Sequence, residues 1–179
     1  IGGTSSESGH EITIDVSGDI YTTGSFYSTV DFDPGANVSN LTSNGISDIF
    51  VQKLDSSGNL LWVKQMGGTG QDNGASIVVD GSDIVYTTGT FVNTVDFDPG
   101  TDVIDLTSNG SRDIFIQLLD ANGNFISVNQ MGGTSDDGTS SITLDASGNV
   151  YTTGGFWDTV DFDPGAGVSN LSAIGFTDI

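Results

Sequence analysis

Residues 31–35 read Asp31-Phe32-Asp33-Pro34-Gly35, and the same five return as Asp96-Phe97-Asp98-Pro99-Gly100 and Asp161-Phe162-Asp163-Pro164-Gly165, each time 65 residues on. The offset reaches far beyond this stretch. It carries Gly2-Gly3-Thr4 onto Gly67-Gly68-Thr69 and Gly132-Gly133-Thr134, and Tyr21-Thr22-Thr23-Gly24 onto Tyr86–Gly89 and Tyr151–Gly154, without a gap. A fixed period of this kind marks a stacked repeat, in which no unit buries its apolar faces alone. The copies are residues 1–65, 66–130 and 131–179, the third of them incomplete.

Inside one copy the apolar period is two. Ile12, Ile14 and Val16 alternate with polar residues, and after a short turn Ile20 to Phe26 forms a second extended run. Ile49–Leu54 and Leu60–Gln65 repeat the arrangement around Asp55-Ser56-Ser57-Gly58-Asn59, which has relatives at Asp15–Asp19, Asp120–Asn124 and Asp145–Asn149. An Asp that accepts from amides further along, with Gly three residues on supplying a positive φ, is hairpin-loop chemistry. Each copy therefore predicts two hairpins, separated by a Pro-Gly punctuated excursion from Ser28 to about Ser47. The predicted fold is all-β: tandem four-stranded antiparallel blades in a β-propeller-like repeat array. Tyr21, Phe26, Phe32 and Phe50, with their equivalents Tyr86, Phe91, Phe97 and Phe115, sit at strand positions that read as core between units.

Composition narrows the function. Against 24 acidic residues stand only Lys53, Lys64 and Arg112, a net charge of −21. Nucleic acid and anionic membrane surfaces are excluded as partners, because both are bound through clustered Lys and Arg. Apolar runs such as Leu60–Val63 are far short of the roughly 20 residues of a membrane helix, so no membrane insertion is expected. With no Cys there is neither disulfide nor thiolate chemistry, and His10, the single His, excludes a catalytic triad and a His-rich metal site. Glu7 and Glu11 are the only glutamates, and the resulting preference for Asp suits turns and short-armed cation ligands.

The segments Ile142–Gly154 (Ile-Thr-Leu-Asp-Ala-Ser-Gly-Asn-Val-Tyr-Thr-Thr-Gly) and Asp48–Trp62 (Asp-Ile-Phe-Val-Gln-Lys-Leu-Asp-Ser-Ser-Gly-Asn-Leu-Leu-Trp), followed by Gly67-Gly68-Thr69, resemble the bacterial SBBP family of β-propeller repeats. The resemblance implies secreted or surface-attached proteins built from blades, and it names no catalytic residue. The chain departs from the family unit in its Asp-Phe-Asp-Pro-Gly insert, which lengthens each copy. The hairpin Leu54–Trp62 is also similar to quinoprotein blade hairpins, but Trp62 becomes Ser127 in the second copy, which supports a blade and not a quinone site.

Asp31 and Asp33 lie two apart in an extended stretch, so their carboxylates project to one side and Phe32 to the other. With Asp48 from the next strand and nearby carbonyls they suggest a Ca²⁺ site, repeated at Asp96, Asp98 and Asp113 and at Asp161, Asp163 and Asp178. The alternative reading has Asp33 capping the Pro34-Gly35 turn and Asp31 solvated. Gly67-Gly68-Thr69 and the acids after it, Asp72 and its neighbours, read as the link between blades. A paired-carboxylate glycosidase is disfavoured, since acid and base need unlike environments and here one pair is copied in every unit.

The expectation is a non-catalytic extracellular or cell-surface structural protein, Ca²⁺-stabilised and forming a surface layer or fibre. Any secretion signal would lie outside the chain, and its partners would be further copies of the repeat, in the same polymer or a neighbouring chain. The rival is a closed propeller that binds a glycan or protein ligand. Uniform units favour the scaffold. Variation gathered at a few top-loop positions favours the binder. Tyr27, Val92 and Trp157 occupy one equivalent position and differ, as an outward-facing or partner-facing site allows.

Overall fold

A computed structural model describes residues 2–179. Its strands are β1 (Gly2–Gly3), β2 (Glu7–Ile14), β3 (Ile20–Phe26), β4 (Thr29–Asp31), β5 (Asn40–Thr42), β6 (Asp48–Leu54) and β7 (Leu60–Gly68). The second copy gives β8 (Asn73–Val79), β9 (Val85–Phe91), β10 (Thr94–Asp96), β11 (Asp105–Thr107), β12 (Asp113–Leu119) and β13 (Phe125–Gly133). The third gives β14 (Gly138–Leu144), β15 (Val150–Gly155), β16 (Thr159–Asp161) and β17 (Asn170–Ser172). No helix occurs among the described residues, and every pairing between strands is antiparallel.

The hairpins form where the sequence places them. Asp55 Oδ1 accepts the amides of Ser57 and Asn59 at 2.9 and 2.8 Å, and the chain reverses through Gly58 at φ 84°. The second copy repeats the turn at Asp120, with amides of Asn122 and Asn124 at 2.8 and 2.9 Å.

The excursion differs from its reading as a connection. It is itself a hairpin of three-residue strands, β4 with β5 and β10 with β11, and β10 pairs with the last strand of the preceding copy, Val95 opposite Gly68 and Asp96 opposite Gly67. The four-stranded blade therefore becomes a six-stranded sheet, ordered β11-β10-β7-β6-β3-β2, and the next is β17-β16-β13-β12-β9-β8. Strand β7 runs across the boundary between residues 65 and 66, so hydrogen bonding laces each copy to the next.

Strands β2, β8 and β14, the equivalent inner strands, lie beside one another, and proximity between sheets falls off towards β7 and β13. The sheets thus fan outward from an axis near their inner strands, as blades do. Tyr21, Ile49 and Val51 of the first copy and Met66, Phe91, Phe97 and Phe115 of the second share one buried cluster, the core between units expected for these aromatics. Phe26, Phe32 and Phe50 form a second cluster with Val30, their rings 5.2 and 4.9 Å apart in sequence order, and clamp the excursion to the sheet.

Candidate functional site

The carboxylates proposed as ion ligands face backbone amides. Asp31 Oδ1 accepts from Asp33 N at 3.0 Å and Ser39 N at 2.8 Å, and Asp33 Oδ1 accepts from Gly35 N at 2.6 Å. Asp96 and Asp98 repeat this with Asp98 N, Ile104 N and Gly100 N, as do Asp161 and Asp163 with Asp163 N, Ser169 N and Gly165 N. These amides favour the charged form and hold Asp31 and Asp161 below the usual carboxylate pKa.

Asp48 stands apart from that pair. It is fully buried at the start of β6, where Oδ2 accepts from Asn44 N at 3.0 Å and Gln65 Nε2 at 2.6 Å while Oδ1 is buried without a partner. Asp113 repeats this with Asn109 and Gln130, and the half-exposed Asp178 accepts from Ile174 N at 2.9 Å. Gly67 makes room for Asp48: a Cβ there would lie 2.1 Å from the carboxyl carbon. Among the described residues no three or more His, Asp or Glu side chains gather in one place.

Asp48 has Asp72 as its acidic neighbour. Asp72 is fully buried and joins two segments, Oδ2 accepting from Gly68 N at 2.9 Å and Oδ1 from Val92 N at 3.0 Å. Burial, with a smaller push from the charge on Asp48, raises its pKa to about 6. Asp137 holds Gly133 N and Trp157 N in the same way and is also raised by burial, while Glu7 reaches Gly3 N at 3.1 Å. These acids staple the Gly-Gly segment to the next blade.

On the same end of the sheets, a groove of about 260 Å³ opens between the first two copies. Its walls come from the start of β2 (Ser8, His10), the end of β3 (Ser25, Tyr27), the segment entering β8 (Gln71, Asn73), Thr90 and Arg112. These residues occupy six positions of the repeat, and none of the six carries the same residue in all three copies. His10, for example, is Ala75 and Ser140 elsewhere, and Arg112 is Ser47 and Thr177. The aromatic core, by contrast, repeats.

The groove is built for hydrogen bonding. His10 Nδ1 donates to Gly74 O at 2.7 Å, a carbonyl being able only to accept, and Gln71 Nε2 donates to Tyr27 Oη at 3.4 Å. Arg112 Nε is buried and has no acceptor. Sequence reasoning singled out only the Tyr27 position here. Gathering all the positions where the copies disagree would have found the rest, but which of them meet depends on the pairing of neighbouring blades.

No family model matches the chain. Over 122 residues, 60% of its length, it is 31% identical to an uncharacterized WD repeat-containing protein of Acanthamoeba polyphaga mimivirus. The match spans 8% of that protein, so the chain corresponds to a small part of this relative. WD repeats are propeller blades, and the likeness agrees with the blade-like sheets described above.

Proposed function

We propose that the chain is part of a non-catalytic β-propeller-like scaffold that binds a ligand in the groove between its first two blades. One observation carries this reading: every one of the six repeat positions that line this polar groove differs among the copies, while the aromatic core beneath it recurs. The aromatic core and the Asp-Gly turns recur in every copy, so positions that differ are ones these demands leave free. A position freed from those demands diverges, and its side chains are available for recognition. The recurrent carboxylates support a role without catalysis, since each copy directs them at the same backbone amides.

The repeat supplies its own test substitutions, because each residue has already been accommodated at that position in a sister blade. His10→Ala, Tyr27→Val and Arg112→Ser should each leave the unfolding free energy within about 0.5 kcal/mol of the parent. Together they should abolish retention on arrays of immobilised peptides and oligosaccharides that the parent chain recognises. Retention that survives the triple substitution, or a parent chain that recognises nothing on either array, would count against a groove-binding role.

A further inference from the structure

We infer that the group recognised in this groove is a carboxylate, received by Arg112. The inference rests on the groove being the binding site. Arg112 is the single arginine of a chain with 24 acidic residues, so an acidic partner within the molecule is the default expectation. It has none: among the described residues both ion pairs belong to Lys53, at the opposite end of the first sheet. Arg112 Nε–H is moreover buried without an acceptor, an arrangement that leaves a desolvated charged donor unanswered.

None of the acids near Arg112 answers it. Asp113, the next residue, has Oδ2 held by Asn109 and Gln130 and an Oδ1 that makes no hydrogen bond, and Asp72 has both oxygens on backbone amides. Asp136, whose backbone bridges to that of Arg112, is exposed. No acid lines the groove, whose other side chains are neutral hydrogen-bonding groups beside His10. A guanidinium fork matches the two oxygens of one carboxylate. A phosphate dianion would meet twice the repulsion from a molecule of net charge −21, with one arginine to offset it. Tyr27, Gln71, Asn73 and Ser8 would then hold the body that carries the carboxylate, either a peptide side chain or an acidic sugar.

A chain with one arginine gives one guanidinium Nε–H resonance, which reports directly on this group. The probes are N-acetylglutamate methylamide and glucuronate, with N-acetylglutamine methylamide and glucose as their neutral counterparts, at constant ionic strength. The resonance should shift saturably with one of the acids and with neither neutral probe, and the acid that acts identifies the carrier. Arg112→Ser should weaken that acid's effect on the backbone amides of Ser8 and Asn73 by about tenfold or more. Equal shifts of the groove amides with a neutral counterpart would overturn the carboxylate and leave the groove intact as a site. No groove shift with any probe would remove both readings. A resonance displaced by Asp136→Asn alone as far as by the acid would show an internal ion pair and overturn the inference.

Discussion

Lys53 shows how one residue is fitted to its own copy. Its ammonium lies 3.1 Å from Asp19 and 3.9 Å from Asp15, and 4.9 Å from the centre of the Tyr21 ring. Burial alone would lower its pKa, but Tyr21 and Asp19 outweigh burial and raise it. The second copy places Ile84 and Leu118 at the positions of Asp19 and Lys53, an apolar pair in place of an ionic one. Removing one partner of a buried pair strands the other charge, whereas replacing both is often neutral. Lys53→Leu should therefore cost about 2 kcal/mol in denaturant unfolding, while Asp19→Ile with Lys53→Leu should recover most of that loss. A double variant as unstable as the single one would show that the pair is not a self-contained unit.

Asp72 makes a second prediction at this scale. Its native pKa of about 6 exceeds the 3.8 of an ordinary Asp, so between these limits the folded state keeps a proton that the unfolded state has lost. Stability from this residue is complete below about pH 4 and is lost as pH rises through 6. Asp31, Asp55 and Asp161, held low by hydrogen bonds, act oppositely, their contribution being lost on acidification below about pH 4. The chain should thus be more stable near pH 5 than at pH 7. Asp72→Asn keeps only one of the two acceptors and lowers stability throughout, but it should flatten that slope. A parent chain that gains stability steadily from pH 5 to 7 would contradict the burial argument.

Among elements, legibility followed length and locality. The Asp-x-x-Gly-Asn hairpins were readable because every contact in them is local, as Asp55 with Ser57 and Asn59 shows. Strands β4, β10 and β16 were not, since Thr29–Asp31, Thr94–Asp96 and Thr159–Asp161 are too short to display a period of two. Their entry turns use Ser28, Asn93 and Asp158 at φ 59°, 64° and 56°, with no Gly to announce a left-handed residue. The candidate site suffered similarly: the carboxylates Asp31 and Asp48 were legible as residues, but Asp48 meets Asp72 of the next copy only through blade pairing. Gln52 and Gln117 also went unremarked, although both are buried with Nε2 donating at 2.6 Å to Phe32 O and Phe97 O. Each pins an excursion to its blade. Gln117→Leu should cost about 2 kcal/mol, because the Phe97 carbonyl would stay buried without its donor. It should also speed amide exchange in β10 and β11 selectively, and uniform acceleration along the chain would argue against a local pin.

At the scale of the whole molecule, stability is distributed by how many neighbours each sheet has. The second copy shares its aromatic cluster with the first, and its inner strand β8 lies between β2 and β14. The outward faces differ: Ile12 and Ile14 on β2 are each 64% exposed, and Tyr151 on β15 is 54% exposed. In a stacked array each unit's free energy is its own plus that of its interfaces, so opening proceeds from units with fewer interfaces. Hydrogen exchange of the 179-residue chain should therefore be slowest in β6, β9 and β12, which are paired on both edges and mostly buried. It should be faster in β2, with a single sheet neighbour, and in β14–β15, which form a two-stranded sheet. The short outer hairpins should be fastest, because their three-residue strands close few hydrogen bonds. Raising salt should slow exchange throughout, as screening relieves repulsion among the excess carboxylates, while the order of protection is preserved because packing sets it. Equal protection in all three copies would mean that each blade is stable alone, and the argument from shared interfaces would fail.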